Sequence, residues 1–142
     1  MSKTYVPVAL RRHITELSRH RCGYCLRTEE LMGMSMTIEH IIPEALGGTT
    51  TENNLWLACP SCNQFKGSKI KAHDPESEKL VKLFNPRTQN WNEHFQWNID
   101  GSQILGKTAC GRATVVALNM NNAEIVITRK LWVSAGWWPL DD

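Results

Sequence analysis

The sequence predicts a small α+β fold knotted by one metal ion. Three observations predict it: two Cys-x-x-Cys pairs, an apolar and β-branched run between them, and apolar residues at helical spacing before them. At 142 residues the chain has room for a core without disulfide staples, and reads as one domain or one domain with an extension.

The elements follow in order. Pro7 opens a helix, and Val6, Leu10, Ile14 and Leu17 recur at helical spacing up to Arg21. Met34 to Ile42 reads as a strand that stops at Pro43. Gly47 and Gly48 mark a loop with unusual backbone angles. Asn54 to Ala58 is a short apolar segment, and a helix carrying Lys66 starts after Asn63. Asp74-Pro75 marks a turn, and Phe95 to Leu105 reads as a hairpin with Asp100-Gly101 as a two-residue turn. Two helices finish the chain, the last starting at Asn121 with Glu124 as capping partner and stopping near Gly136.

A formal charge of +2 permits nucleic-acid binding without demanding it. The placement of charge is more telling. Arg11, Arg12, His13, Arg19, His20, Arg21 and Arg27 crowd the first segment, and Lys66, Lys69 and Lys71 follow the second cysteine pair. Acid collects at Glu76, Glu78, Asp141 and Asp142. No apolar run reaches membrane-spanning length. Met1 to Leu10 lacks a charged leader followed by an apolar stretch, so a cytoplasmic, reducing setting is expected.

Disulfides do not persist in such a setting. Cys22-Gly23-Tyr24-Cys25 and Cys59-Pro60-Ser61-Cys62 therefore read as a structural zinc site of four thiolates. Two residues between cysteines let a tight knuckle aim both sulfurs at one ion. Two independent redox pairs are the competing reading, but neither pair sits at a helix start in a βαβ setting. Cys110 reads as a small buried hydrophobe.

The chemistry lies between the knuckles. Glu39 and His40 are adjacent, so on a strand they face opposite ways and divide the labour. His is suited to moving a proton near neutral pH. Glu39 and Asn63 offer oxygen donors, which suit Mg²⁺, Mn²⁺ or Ca²⁺ better than zinc. A base, a hard ion and nearby cations suit phosphodiester hydrolysis.

The run Glu39-His40-Ile41-Ile42-Pro43, Gly47-Gly48, Asn54-Leu55, Cys59-x-x-Cys62-Asn63 and Lys66-Gly67, preceded by Cys22-x-x-Cys25, resembles the HNH endonuclease motif with its zinc-binding cysteines. The resemblance implies a ββα-metal (His-Me finger) core. It implies His40 as the general base that activates water, Asn54 as the residue that holds the loop and aims the base, and Glu39 and Asn63 as ligands of a catalytic Mg²⁺ or Mn²⁺. Glu39 stands where Asp is commoner and Asn63 where the motif's name says His; both keep an oxygen donor. The implied activity is hydrolysis of DNA to 5′-phosphate and 3′-hydroxyl ends. The expected partner is double-stranded DNA, bound with low sequence specificity by a monomer or weak homodimer, with no membrane involved. Lys66, Lys69, Arg12, Arg19 and Arg87 are the expected nucleic-acid contacts.

On this reading residues 1–72 are the nuclease core with its zinc site, and residues 73–142 are an extension packed on it. Leu83 to Arg87, Trp91, His94, Phe95, Trp97, Gly111 to Val115 and Gly136 to Pro139 resemble a C-terminal extension seen in one subgroup of small HNH nucleases. Six Trp point to aromatic packing over base stacking. Arg87 and Arg112 are candidates for phosphate contact, and His94 or Arg87 for a place near the active site. His13, His20, His73 and His94 otherwise read as surface or structural. The alternative class is a non-catalytic zinc module that binds nucleic acid; it has no use for Glu39, His40 and Asn63 together.

Overall fold

Pro7 stands just before the first helix as its N-cap, with ψ extended at 147° and its carbonyl accepting from Arg11 N–H at 2.9 Å. Helix α1 then runs Val8–Leu17 and turns Ile14 inward, where it is fully buried. Truncating Ile14 to Ala would cost about 2–5 kcal/mol. The helix ends short of the expected Arg21 because Arg19 and His20 adopt left-handed angles, φ 61° and 58°. This is a computed structural model, and it describes residues 5–140; the acids expected at Asp141 and Asp142 lie outside them.

The described residues divide into two compact units. The first runs up to Ile70 and includes Asn85–Gln89; the second holds Lys71–Phe84 and the chain from Asn90 onward.

In the first unit, α1 is followed by the first cysteine knuckle and a one-turn helix α2, Glu29–Met32, capped by the Thr28 side chain on Leu31 N–H. Strands β1, Thr37–His40, and β2, Leu55–Ala58, pair antiparallel with Ile38 opposite Leu57 and Glu39 opposite Trp56. Strand β1 is shorter than the expected 34–42, because the Ile42 N–H bonds to the Asn54 side chain and leaves the ladder. Helix α3, Pro60–Lys66, follows β2 directly. It starts earlier than expected: Cys59 serves as N-cap, its sulfur accepting from Cys62 N–H, and Pro60 supplies the first helical φ. Helix α1 packs against both strands, and α3 packs against β1.

The second unit holds two further hairpins. Strands β3, Lys71–His73, and β4, Leu80–Lys82, pair around a turn that Asp74 caps. After the one-turn helix α4, Trp91–His94, strands β5, Phe95–Trp97, and β6, Ile104–Gly106, pair antiparallel. Their connection is longer than the expected two residues. Asn98 N–H donates to Gln103 O, and Asn98 Oδ1 accepts from Ser102 and Gln103, closing a loop instead of a tight turn. Helix α5, Ala109–Ala117, starts on Thr108, and α6, Ala123–Ser134, on Asn122, one residue later than expected.

The core of this unit is aromatic. Phe84, Phe95, Trp91, Trp97, Trp138 and Trp132 form a chain of neighbouring rings with centroids 5.1–5.6 Å apart. Arg129 is buried against it, lying over the Trp97 ring at 5.4 Å and donating to Ser102 O, Met120 O and Asn121 Oδ1. Trp137, by contrast, is exposed. No helix among the described residues is long and apolar enough to cross a membrane.

Candidate active site and metal knot

Four sulfurs converge first. Cys22, Cys25, Cys59 and Cys62 are buried, and their Sγ atoms all lie within 4.8 Å of one another. Cys25 Sγ and Cys59 Sγ are 3.7 Å apart. Thiolates about 2.3 Å from a tetrahedral zinc sit about 3.8 Å apart, so this spacing fits the ion and is far too long for a disulfide. The backbone supports the sulfurs: Tyr24 N–H points at Cys22 Sγ at 3.5 Å and Cys62 N–H at Cys59 Sγ at 3.3 Å. Arg27 donates from Nε to Cys25 Sγ at 3.2 Å. Burial works against the Arg27 charge, but the Cys25 and Cys59 sulfurs hold its pKa above the ordinary value. Cys110 lies apart on α5 and is only half-buried, not the buried hydrophobe expected.

Glu39 comes next. Its side chain points from β1 toward α3 and is 5% exposed. Lys66 Nζ, on the last turn of α3, meets Glu39 Oε1 at 2.8 Å and donates to Ile41 O at 3.0 Å. Asn63 lies three residues before Lys66 on the same helix and is half-buried. The Tyr24 phenol is a further polar group beside the carboxylate. Burial pushes the Glu39 pKa up, and Lys66 pulls it back. Burial, reinforced by the Glu39 charge, raises the Tyr24 phenol. The donor set of one carboxylate and one amide oxygen fits a hard divalent ion.

His40 ends β1 and faces away from Glu39 along the strand. Its Nε2 is 2.9 Å from Thr50 Oγ1 and 3.8 Å from Glu44 Oε1. The loop after it is pinned by Asn54. Asn54 Oδ1 accepts from Ile42 N–H at 2.9 Å, Nδ2 donates to Ile42 O at 3.0 Å and to Thr49 O at 2.9 Å, and Asn54 O accepts from Ile41 N–H at 2.8 Å. Gly48 belongs to the same clamp: a Cβ there would lie 1.7 Å from Ile42 O and 2.9 Å from Asn54 Nδ2. The glycine admits the protein's own backbone.

Residues 22–69 match the family model for HNH endonuclease. Over that segment the chain is similar to HNH endonucleases. The match starts at Cys22 and spans both knuckles, Glu39, His40, Asn54 and Asn63, about a third of the chain. Neither the curated proteins nor the solved structures give a match.

The basic residues expected to meet nucleic acid fall in different settings. Lys66, inside the HNH segment, is 2% exposed and its ammonium is held by Glu39 and Ile41 O, so it does not project into solvent. Lys69 is exposed, with Nζ on Phe65 O. Arg12 is exposed on α1, and Arg19 in the turn after it. Arg87 lies over the Trp56 ring at 5.4 Å, within the unit that contains the HNH segment. Arg112, in the second unit, is committed to Asp74 through Nε and Nη2, both at 2.9 Å. The remaining histidines are taken up locally: His13 with Glu52, His20 with Glu29 and His94 with Thr108, while His73 lies exposed on β3. Sequence reasoning missed Tyr24 beside Glu39 and the Lys66 pairing. The only signal for the latter was the three-residue spacing from Asn63.

Proposed function

We propose that this protein is a metal-dependent HNH endonuclease that hydrolyses DNA phosphodiester bonds with low sequence specificity. His40 takes the proton from the attacking water. Its partner Thr50 holds one ring nitrogen, and Asn54 fixes the loop that sets where the imidazole stands. Glu39 and Asn63 would hold a divalent cation, Mg²⁺ or Mn²⁺, at a ββα-metal core formed by β1, β2 and α3. That ion would supply charge stabilisation at the phosphate and the leaving 3′ oxygen. Lys66 keeps the buried Glu39 carboxylate ionised and aimed. The products carry 5′-phosphate and 3′-hydroxyl ends. The four cysteines hold a structural zinc that ties the first knuckle to the start of α3.

The observation that carries this reading is the Asn54 clamp. A side-chain amide that binds both the N–H and the C=O of Ile42, two residues past the proposed base, serves to aim that base. A buried amide is otherwise satisfied by any convenient partner.

The test is a cleavage assay on supercoiled, linear and single-stranded DNA and on RNA across a panel of divalent ions. Expected is nicking of supercoiled DNA only with added Mg²⁺ or Mn²⁺, abolished by His40→Ala with one zinc per chain retained. DNA binding without cleavage under every ion would leave a non-catalytic zinc module instead.

A further inference from the structure

Resting on the nucleic-acid-binding part of that reading, we infer that the Asn85–Gln89 loop presents Arg87 as a clamp for a backbone phosphate on the Glu39 face of the β1–β2 hairpin.

The loop belongs to the first unit, although the chain on both sides of it belongs to the second. It is closed on itself. Asn85 Oδ1 accepts from Arg87 N–H at 2.9 Å and Thr88 N–H at 3.3 Å, and Gln89 Oε1 accepts from Asn85 N–H at 2.7 Å. Gln89 N–H returns to Asn85 O at 3.0 Å. Such a loop spends little entropy in holding one shape.

It is also seated. A Cβ on Gly23, inside the first knuckle, would lie 2.6 Å from Pro86 Cβ and 2.2 Å from Trp56 Cδ1. Glycine there lets the knuckle, Pro86 and Trp56 close on one another. The Arg87 guanidinium then lies over the Trp56 ring. Trp56 is directly opposite Glu39 in the strand register, so both project from the same face of the hairpin.

The guanidinium lacks its anion. Arg87 Nε and Nη2 are buried and have no hydrogen-bond partner among the described residues. These two atoms form one edge of the fork, the edge suited to two oxygens of a phosphate or carboxylate. Arg112 shows what that edge does when satisfied: its Nε and Nη2 hold both Asp74 oxygens at 2.9 Å. Among the described residues nothing plays Asp74's part for Arg87. Glu52, the carboxylate that the Arg87 charge reaches, is held at 2.7 Å by His13. A buried charged donor pair without a partner is costly, and the anion that completes it on this face is a phosphodiester. Arg87 is half-buried as a whole, so part of the side chain remains in contact with solvent.

The experiment measures affinity for a short labelled DNA duplex against salt, in the His40→Ala background, for Arg87→Gln and Arg87→Lys, with zinc content and melting followed alongside. Removing one phosphate contact is expected to lower the slope of log affinity against log salt by about 0.9 and to weaken binding about tenfold. Arg87→Lys keeps the charge and the slope but loses the fork, so its affinity falls severalfold. A well-folded Arg87→Gln that binds with unchanged affinity and slope overturns the clamp. So does an absence of DNA binding by the parent. If Arg87→Gln does not fold, unchanged affinity in Arg87→Lys overturns it. A wild type that binds but never cuts defeats the nuclease reading alone and leaves this measurement standing.

Discussion

Lys66 Nζ stands 2.8 Å from Glu39 Oε1, and both residues are shut away from water. This pair changes the part expected of the lysine. The sequence offered Lys66 as a nucleic-acid contact, but the ammonium is turned inward, onto a carboxylate and the Ile41 carbonyl. A buried carboxylate without a counter-charge takes up a proton, and a protonated Glu39 is a poor ligand for a hard cation. On the proposed reading Lys66 serves the site by opposing the upward push that burial gives the Glu39 pKa.

Lys66→Met should therefore damage both fold and activity. Removing one partner of a buried ion pair costs about 3–5 kcal/mol, because the other charge is left uncompensated. Thermal unfolding should show the loss in Lys66→Met. The exposed Lys69 gives the contrast: Lys69→Met should change stability by about 0.5 kcal/mol or less. Equal melting of the two variants would remove Lys66 from this role.

Asn54→Ala strips the partners from Ile42 N–H, Ile42 O and Thr49 O. Unmet backbone groups cost about 1–3 kcal/mol each when they stay buried, so a loss of about 2–4 kcal/mol is expected after some rehydration. Cleavage should fall about a hundredfold in kcat, since a misaimed base forfeits much of the 10²–10⁴ that general-base catalysis gives. Asn54→Asp keeps the acceptor for Ile42 N–H but turns an oxygen toward two carbonyls, so it should not rescue. Full activity in Asn54→Ala, at unchanged zinc content, would show that the clamp does not aim His40.

The sequence made the four-cysteine cluster legible because thiol spacing is a local constraint: two residues between cysteines set each knuckle, and four converging sulfurs suit one ion. The α1 periodicity and the final capped helix were readable for the same reason. What escaped was settled by tertiary contacts. Strand β1 stops at His40 because a side chain fourteen residues later captures Ile42 N–H. The β3–β4 hairpin forms around Asp74, whose oxygens are fixed in turn by Arg112, thirty-eight residues on. Arg87 lies far from the HNH motif in sequence, and only the folded chain brings it onto Trp56.

Acid should weaken the second unit through Asp74. This carboxyl is fully buried, holds Arg112 through both oxygens, and accepts from Ser77 and from the Glu76 and Ser77 N–H groups. The Arg112 guanidinium above all holds its pKa well below the ordinary carboxylate value. A carboxylate whose pKa drops on folding stabilises the fold above its unfolded pKa, about 3.9, and that stabilisation fades as pH falls through the folded value. Wild type and Asp74→Asn should thus differ most in melting temperature near neutrality. The gap should shrink below about pH 4. A gap that is constant from pH 7 to pH 3 would mean the carboxylate's charge contributes nothing.

Zinc removal should act on the first unit. With the ion gone, four buried thiols remain within 4.8 Å of one another, and Cys59 still has to cap α3 while Gly23 still has to close on Trp56 and Pro86. Neither knuckle has other bonds strong enough to hold that geometry, and structural zinc commonly contributes on the order of 10 kcal/mol to a small fold. Chelation, or Cys59→Ser, should release about one zinc per chain, make four further thiols reactive (three in the variant), and disorder the residues around Trp56. The aromatic core of Phe84, Phe95, Trp97 and Trp138 contains no cysteine and should keep its near-ultraviolet circular dichroism. A metal-free protein that retains protected amides in β1, β2 and α3 by hydrogen exchange would show that the thiols pack without an ion.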